Sequence, residues 1–226
     1  MRIGVIIPDR GDRPEFMKNC LRMVNGQTLK PFRVFPVGPL TIRPSDQCDI
    51  TVRYCDGYNA MSLSYPKIDV ISFMENDDWY SPEYLETMAR AWHDHGRPDI
   101  FGVNYTIYYH LGERAYFTMT HPDRSSAMST FIKPGLHIRW PVDNDPFTDM
   151  HLWQQLKGVT FNPGKLISIG MKHGIGMCGG RNHTTRLERY RMKDPDFKFL
   201  RQNLDEESFE FYSTIYENTF SRELRG

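Results

Sequence analysis

Residues 75–78 read Glu-Asn-Asp-Asp and directly follow the apolar run from Ile68 to Met74. Three carboxylates within four residues at the end of a buried strand repel one another and raise one another's proton affinity, a cost that a divalent cation removes. Oxygen ligands of this kind suit magnesium or manganese, which keep several waters and bind through one or two carboxylates together with substrate phosphates. A nucleotide diphosphate would complete such a shell. The competing explanation is that Asp77 or Asp78 caps the helix that follows. Ser81 as N-cap and Pro82 at the first helical position already supply that helix start, which favours the metal.

Two further stretches could meet a phosphorylated ligand. Pro8-Asp9-Arg10 ends the first apolar run, and Arg10 is open to two roles, ligand contact or a structural ion pair. Residues 171–186, MKHGIGMCGGRNHTTR, combine glycines that let a backbone approach a diphosphate with Lys172, Arg181 and Arg186, which could neutralise it. The basic cluster continues through Arg189 and Arg191 to Lys193. It could track a nucleic-acid backbone, or it could be a solvated face interleaved with Glu188 and Asp194.

Positioning these groups requires elements whose ends converge. Ile3 to Ile7 is a β-branched run of the kind covered on both faces in a parallel sheet. Pro14 opens a helix with Phe16, Cys20, Met23 and Val24 on one stripe, closed at Gly26. Phe32 to Val37, Asp49 to Tyr54 and Ile68 to Met74 are expected strands. A helix with Leu85, Met88, Ala89 and Trp92 on its apolar face should run to Gly96. Strands over Phe101 to Tyr109, Tyr116 to Thr120 and Met128 to Ile132 suggest a mixed or antiparallel extension. A helix from Asp145 to Leu156 and a strand from Leu166 to Met171 follow. After Asp205, Phe209, Tyr212, Ile215, Tyr216 and Phe220 fall at helical spacing. The expectation is an α/β fold with a mostly parallel sheet, residues 1–200 forming one domain and 201–226 its packing helix and tail. Ligands of such sheets bind at the carboxyl ends of the strands, where the Asp9 and Asp77 loops both lie.

Composition narrows the partners. Lys plus Arg and Asp plus Glu number 28 each, so no net field draws the whole chain to nucleic acid or a membrane. The N-terminal apolar run is too short for a signal segment or a membrane span. The four cysteines show no metal or disulfide spacing, which points to a cytoplasmic protein. Oligomeric state is left open.

The motifs resemble family 2 glycosyltransferases. IGVIIPDRGDRPEFMKNCLRMVNGQT is similar to the opening of that family, and VISFMENDDWYSPEYLETM to its acidic motif. TDMHLW, Thr148 to Trp153, is similar to its Glu-Asp-x-x-Leu-Trp segment. The resemblance spans Arg2 to Leu156 and implies a GT-A fold, a nucleotide-sugar donor and a manganese or magnesium ion. It assigns Asp77 as the leading metal ligand, flanked by Glu75 and Asp78. Pro8, Asp9, Arg10 and Asn76 fall to the donor side, joined by Lys172 and Arg181. Asp149 becomes the general base of an inverting reaction, its alternative being a first-turn acid stabilised by the helix dipole. A late histidine completes the metal shell in some GT-A enzymes, which points to His173, with His183 as substitute.

Three departures accompany the resemblance. The second strand ends Val37-Gly38-Pro39-Leu40 instead of in two acids, leaving the donor base open, although a UDP-sugar is favoured. Glu75-Asn76 replaces Asp-Asp, and Thr148 replaces the glutamate before the proposed base. The implied activity is a hexosyltransferase acting on an acceptor hydroxyl. The patch from Arg181 to Lys193 raises DNA as acceptor, as in viral enzymes that glycosylate hydroxymethylated bases. Alternatives are a nucleotidyltransferase, for which no lysine-containing activation loop follows Ile7, and a non-catalytic nucleic-acid or carbohydrate-binding module.

Overall fold

Ile3, Val5, Ile6 and Ile7 are all buried, because helices cover both faces of the sheet to which they belong. In the computed structural model, which describes residues 1–38, 50–141, 147–174 and 186–220, the first elements are β1 (Ile3–Pro8), α1 (Pro14–Asn25), β2 (Arg33–Val37), α2 (Ile50–Ser64), β3 (Val70–Phe73), β4 (Trp79–Tyr80) and α3 (Tyr84–Asp94). They are followed by β5 (Ile100–Val103), β6 (Tyr105–His110), β7 (Ala115–Thr120), β8 (Thr130–Ile132), α4 (Thr148–Gln155), β9 (Gly158–Phe161), β10 (Ser168–Lys172), β11 (Met192–Lys193), α5 (Lys198–Asn203) and α6 (Glu206–Thr219).

The main sheet has the order β2-β1-β3-β8-β5-β9. β1 is parallel to β2 and β3, β5 is parallel to β9, and β8 is antiparallel to both its neighbours. Side chains alternate across it as the pleat requires. Ile3, Val5 and Ile7 join the stripe of α1 and the Leu85, Met88, Ala89 and Trp92 face of α3 in one core. Ile6, Ile71 and Phe73 point the other way, to Tyr54, Tyr58 and Met61 of α2 and Leu152 and Trp153 of α4. A second sheet, β11-β7-β6-β10-β4, shares the first core through Tyr109, Ile169 and Met171, as does α6 through Tyr212 and Ile215.

Gln27 and Thr28, which end the first motif, act as a staple between helices. The buried Gln27 amide donates to the carbonyls of Met23 and Ser81 and accepts from the Leu85 N–H, while the Thr28 N–H donates to the Pro82 carbonyl. Five backbone groups around the end of α1 and the start of α3 are thereby satisfied within the protein.

Several elements differ from expectation. The segment ending at Tyr54 is helical from Ile50, not a strand, and Asp49 lies outside the described residues. Ile50-Thr51-Val52 has strand-like composition, but Tyr54, Tyr58 and Met61 recur with the period of a helix, and their burial decides. Phe101 to Tyr109 is two strands in two sheets, broken at Asn104, whose N–H donates to the Phe161 carbonyl and whose carbonyl accepts from His121 N–H. α3 starts at Tyr84 with Glu83 in the cap position, so Ser81 is not the N-cap. The Ser81 carbonyl instead accepts from the N–H of Tyr84 at 3.0 Å. α4 begins at Thr148 with Phe147 in the cap position, not at Asp145, and the strand expected from Leu166 runs from Ser168 to Lys172.

His121, at the end of β7, gives the stability a pH dependence. Its ring Nε2 is buried without a hydrogen-bond partner. Burial, with the charge of Arg124, lowers its pKa from 6.5 to about 4. The unfolded chain therefore takes up a proton near 6.5 that the folded chain refuses until about 4. Stability is full above the upper value and declines as pH falls toward the lower one. His121→Leu is expected to flatten this decline, measured as urea midpoints at neutral pH and near pH 5. An undiminished slope in the variant would remove His121 as its source.

Candidate functional site

Parallel pairing of β1 and β3 brings two loops to one edge of the main sheet, and the end of β10, from the second sheet, meets them there. β1 ends in Pro8 and leads into Asp9, β3 ends at Phe73 just before the acidic run, and β10 ends at Lys172 just before His173. The Asp9 N–H donates to the Val37 carbonyl at 2.8 Å, which ties its loop to β2. Asp9 Oδ1 accepts from Asn76 Nδ2 at 3.0 Å and from the Gly11 N–H at 3.2 Å. Asp9 and Asn76 thus link the first loop to the acidic one. Arg10 pairs with Asp12 at 2.5 Å, the ion-pair role that the sequence allowed for it.

The acidic residues are held by different partners. Glu75 accepts from the Tyr54 hydroxyl at 2.6 Å, and its N–H donates to the Tyr80 hydroxyl at 2.7 Å. Asp78 Oδ1 accepts from the Met171 N–H at 2.8 Å, pinning the loop to β10. Asp77 Oδ2 lies 3.0 Å from Arg13 Nη1 and 3.1 Å from His173 Nε2. The Asp77 carbonyl accepts from the Tyr212 hydroxyl of α6 at 3.1 Å. Glu75, Asp77 and Asp78 can each bring one oxygen within 4.8 Å of the others.

Their protonation diverges accordingly. Burial drives all three upward, but the hydrogen bond with His173 and the charge of Arg13 outweigh it at Asp77 and hold that carboxyl well below the usual range. Glu75 is raised by burial and by Asp77, and Asp78 is raised well above the usual range by burial, Glu75 and Asp77. His173, fully buried against the Phe16 ring at 4.6 Å, is lowered by burial against the pull of Asp77. An ionised Asp77 beside a neutral imidazole is a pair suited to a cation.

The ligand spacing fits one. Two cis ligands at about 2.1 Å from an octahedral ion stand about 3.0 Å apart, close to the observed separation of Asp77 Oδ2 and His173 Nε2.

Lys172 lies over the Tyr108 ring, with its ammonium nitrogen 5.4 Å from the centroid, and its charge acts on all three acids. Burial raises the Tyr108 phenol to about 12 against the charge of Lys172, and its hydroxyl bonds to the Ser126 hydroxyl at 2.8 Å. Asp149 is in the first turn of α4 and forms an ion pair with Arg124. Arg186 stacks over Phe147, immediately before α4, with 5.9 Å to the centroid. Arg186, in the middle of the basic cluster, therefore adjoins the helix that carries Asp149. Lys193, at the end of the cluster, pairs with Glu113. Arg181 and His183 lie outside the described residues.

Arg13, Tyr54, Tyr108, Arg124 and Tyr212 were not anticipated. Arg13 alone had a local signal, because a cation at the N-cap of α1 opposes the helix dipole unless acids face it. Arg53 is a second surprise. It is buried in the first turn of α2, with Nε and Nη1 lacking hydrogen-bond partners. Four residues on, Gly57 sits so close to the sheet that a Cβ there would meet Ile6 and Val37 at 2.8 Å.

No protein-family model matches the sequence, and no curated protein does. Among solved structures, S. aureus TarS 1-349 in complex with UDP-GlcNAc superposes with a TM-score of 0.51 at 12% identity, over 76% of this chain and 59% of that one. The same TarS piece in complex with UDP gives 0.51 and 12%, over 76% and 60%. The longer TarS structure gives the same score and identity over 37% of its length. This chain spans about three fifths of the shorter TarS structures. The fold is GT-A, a mixed α/β architecture around a mostly parallel sheet, as the motifs implied.

Proposed function

We propose that this chain is a metal-dependent, inverting glycosyltransferase of the family 2 type that moves a hexose from a nucleotide-diphosphate donor, a UDP-sugar, to an acceptor hydroxyl. The observation that carries this reading is the Asp77–His173 pair, at cis-ligand spacing on the carboxyl edge of a GT-A sheet. That TarS has been crystallised with UDP and UDP-GlcNAc favours the same donor class here.

In this reading Asp77 and His173 hold a manganese ion, with Glu75 and Asp78 beside them. When bound, the ion supplies positive charge to the diphosphate as it leaves. Lys172 adds an ammonium on the same side, and Arg181 is proposed to join it. Pro8, Asp9, Arg10 and Asn76 shape the wall against which the nucleoside rests. Asp149 removes the proton of the acceptor hydroxyl as that oxygen attacks the anomeric carbon, and Arg124 fixes the orientation of its carboxylate.

The acceptor lies on the Asp149 side. Arg186 beside α4 favours a polyanion there, and a hydroxymethylated base in DNA is the acceptor proposed. Among the described residues no helix is long and apolar enough to cross a membrane.

Titration calorimetry of UDP with and without manganese tests the donor site. Binding at least ten-fold tighter with the ion is expected. Failure to bind UDP and every other nucleoside diphosphate under both conditions would sink the transferase reading.

A further inference from the structure

Arg13 occupies the space around the atoms assigned to the cation. Its Nη1 lies 3.0 Å from Asp77 Oδ2 and 3.1 Å from His173 Nε2, and those two atoms are 3.1 Å apart. Nη2 donates to Asn76 Oδ1 at 3.2 Å, and the guanidinium rests on the Phe16 ring. The side chain is 7% exposed, so it cannot swing freely into solvent.

The triangle restricts where an ion can sit. With both ligand bonds at about 2.1 Å, an ion on the Arg13 side of the Asp77–His173 edge would fall about 1 Å from Nη1, a steric impossibility. On the far side it would stand about 4 Å from a buried guanidinium, where like charges repel strongly in a medium of low polarity. Arg13 and a divalent ion are therefore competitors for one ionised carboxylate.

We propose that Arg13 is a resident counter-cation that keeps the Asp77–His173 pair closed to a lone metal ion and yields it when a nucleotide diphosphate arrives. The diphosphate contributes its own oxygens to the ion and offers the guanidinium a second anion, for which the planar fork of arginine is well suited. Ion and nucleotide then enter as a unit, and the empty protein does not fill with metal. This rests on the reading of Asp77 and His173 as cation ligands.

Manganese binding to wild type, Arg13→Gln and Arg13→Lys, followed by loss of the free-ion paramagnetic resonance signal, tests it. Without UDP, Arg13→Gln should bind manganese at least ten-fold more tightly than wild type, with Arg13→Lys between them. Saturating UDP should narrow the difference. Equal or weaker binding by Arg13→Gln, while wild type still binds manganese with UDP, overturns the role of Arg13 and leaves the cation site standing. Absence of manganese binding in all three, with UDP present or not, overturns both. Thermal melts accompany the titration. A glutamine variant that folds only with manganese supports the proposal, since the ion has replaced the countercharge. If that variant folds under neither condition, Arg13→Lys decides alone, and binding no tighter than wild type overturns the proposal.

Discussion

On the proposed mechanism Asp77→Asn should lower turnover about a thousand-fold or more, because the interaction it would remove is worth several kcal/mol where charge develops on the leaving group. It should also destabilise the fold. Asparagine keeps the shape but removes the closer of the two ionic partners of the buried Arg13, leaving Asp12 at 3.7 Å, and breaking a mostly buried pair costs about 3 kcal/mol. The pH dependence separates the two effects. Asp77 is held well below the usual carboxylate range, so its contribution is present above that range and is lost as pH falls through the depressed value. The unfolding curves of wild type and Asp77→Asn should therefore differ most near neutral pH and converge in acid. Urea unfolding at both pH values, beside manganese-dependent UDP binding at neutral pH, reads the outcome. A variant that matches wild type in stability and still binds UDP with manganese would exclude Asp77 from the site.

Asp149→Asn should behave differently. A general base contributes typically a hundred- to ten-thousand-fold, so turnover should fall within that range. UDP affinity should be unchanged, since no donor contact is assigned to this carboxylate. The partly exposed Arg124 loses its partner and costs little stability. Single-turnover rates set beside UDP titrations distinguish the roles. Parallel loss of UDP binding and turnover would make Asp149 part of the donor site, and unchanged turnover would leave it the first-turn acid of α4.

What could be read from the chain follows from how local each signal is. β1 and β3 announce themselves because both faces are covered, which needs only an unbroken apolar run. α1 and α3 follow from stripes at helical spacing. The acidic motif is legible for the same reason, its three carboxylates being neighbours in sequence. The start of α2 has the composition of a strand, Ile50-Thr51-Val52, and its helical period emerges only across Tyr54, Tyr58 and Met61. The division into two sheets at Asn104 depends on which strands are available for pairing, and β9 and β10 lie more than fifty residues away. Arg13 was missed on similar grounds. Its partners are 64 and 160 residues distant, and nothing beside it in the chain is an acid except Asp12.

The hydroxyl of Tyr212 on the Asp77 carbonyl, reinforced by Asp205 accepting from the Trp79 indole at 3.2 Å, has a consequence for biosynthesis. The acidic loop leaves the ribosome 135 residues before the tyrosine that clamps its backbone. At typical rates of translation that interval is on the order of ten seconds. A nascent chain can pack β1, α1 and β3 during that time, but it holds an unclamped loop until α6 emerges. The assembly of the site is thus timed to α6, and a ribosome stalled before it would display a folded sheet with the loop still loose.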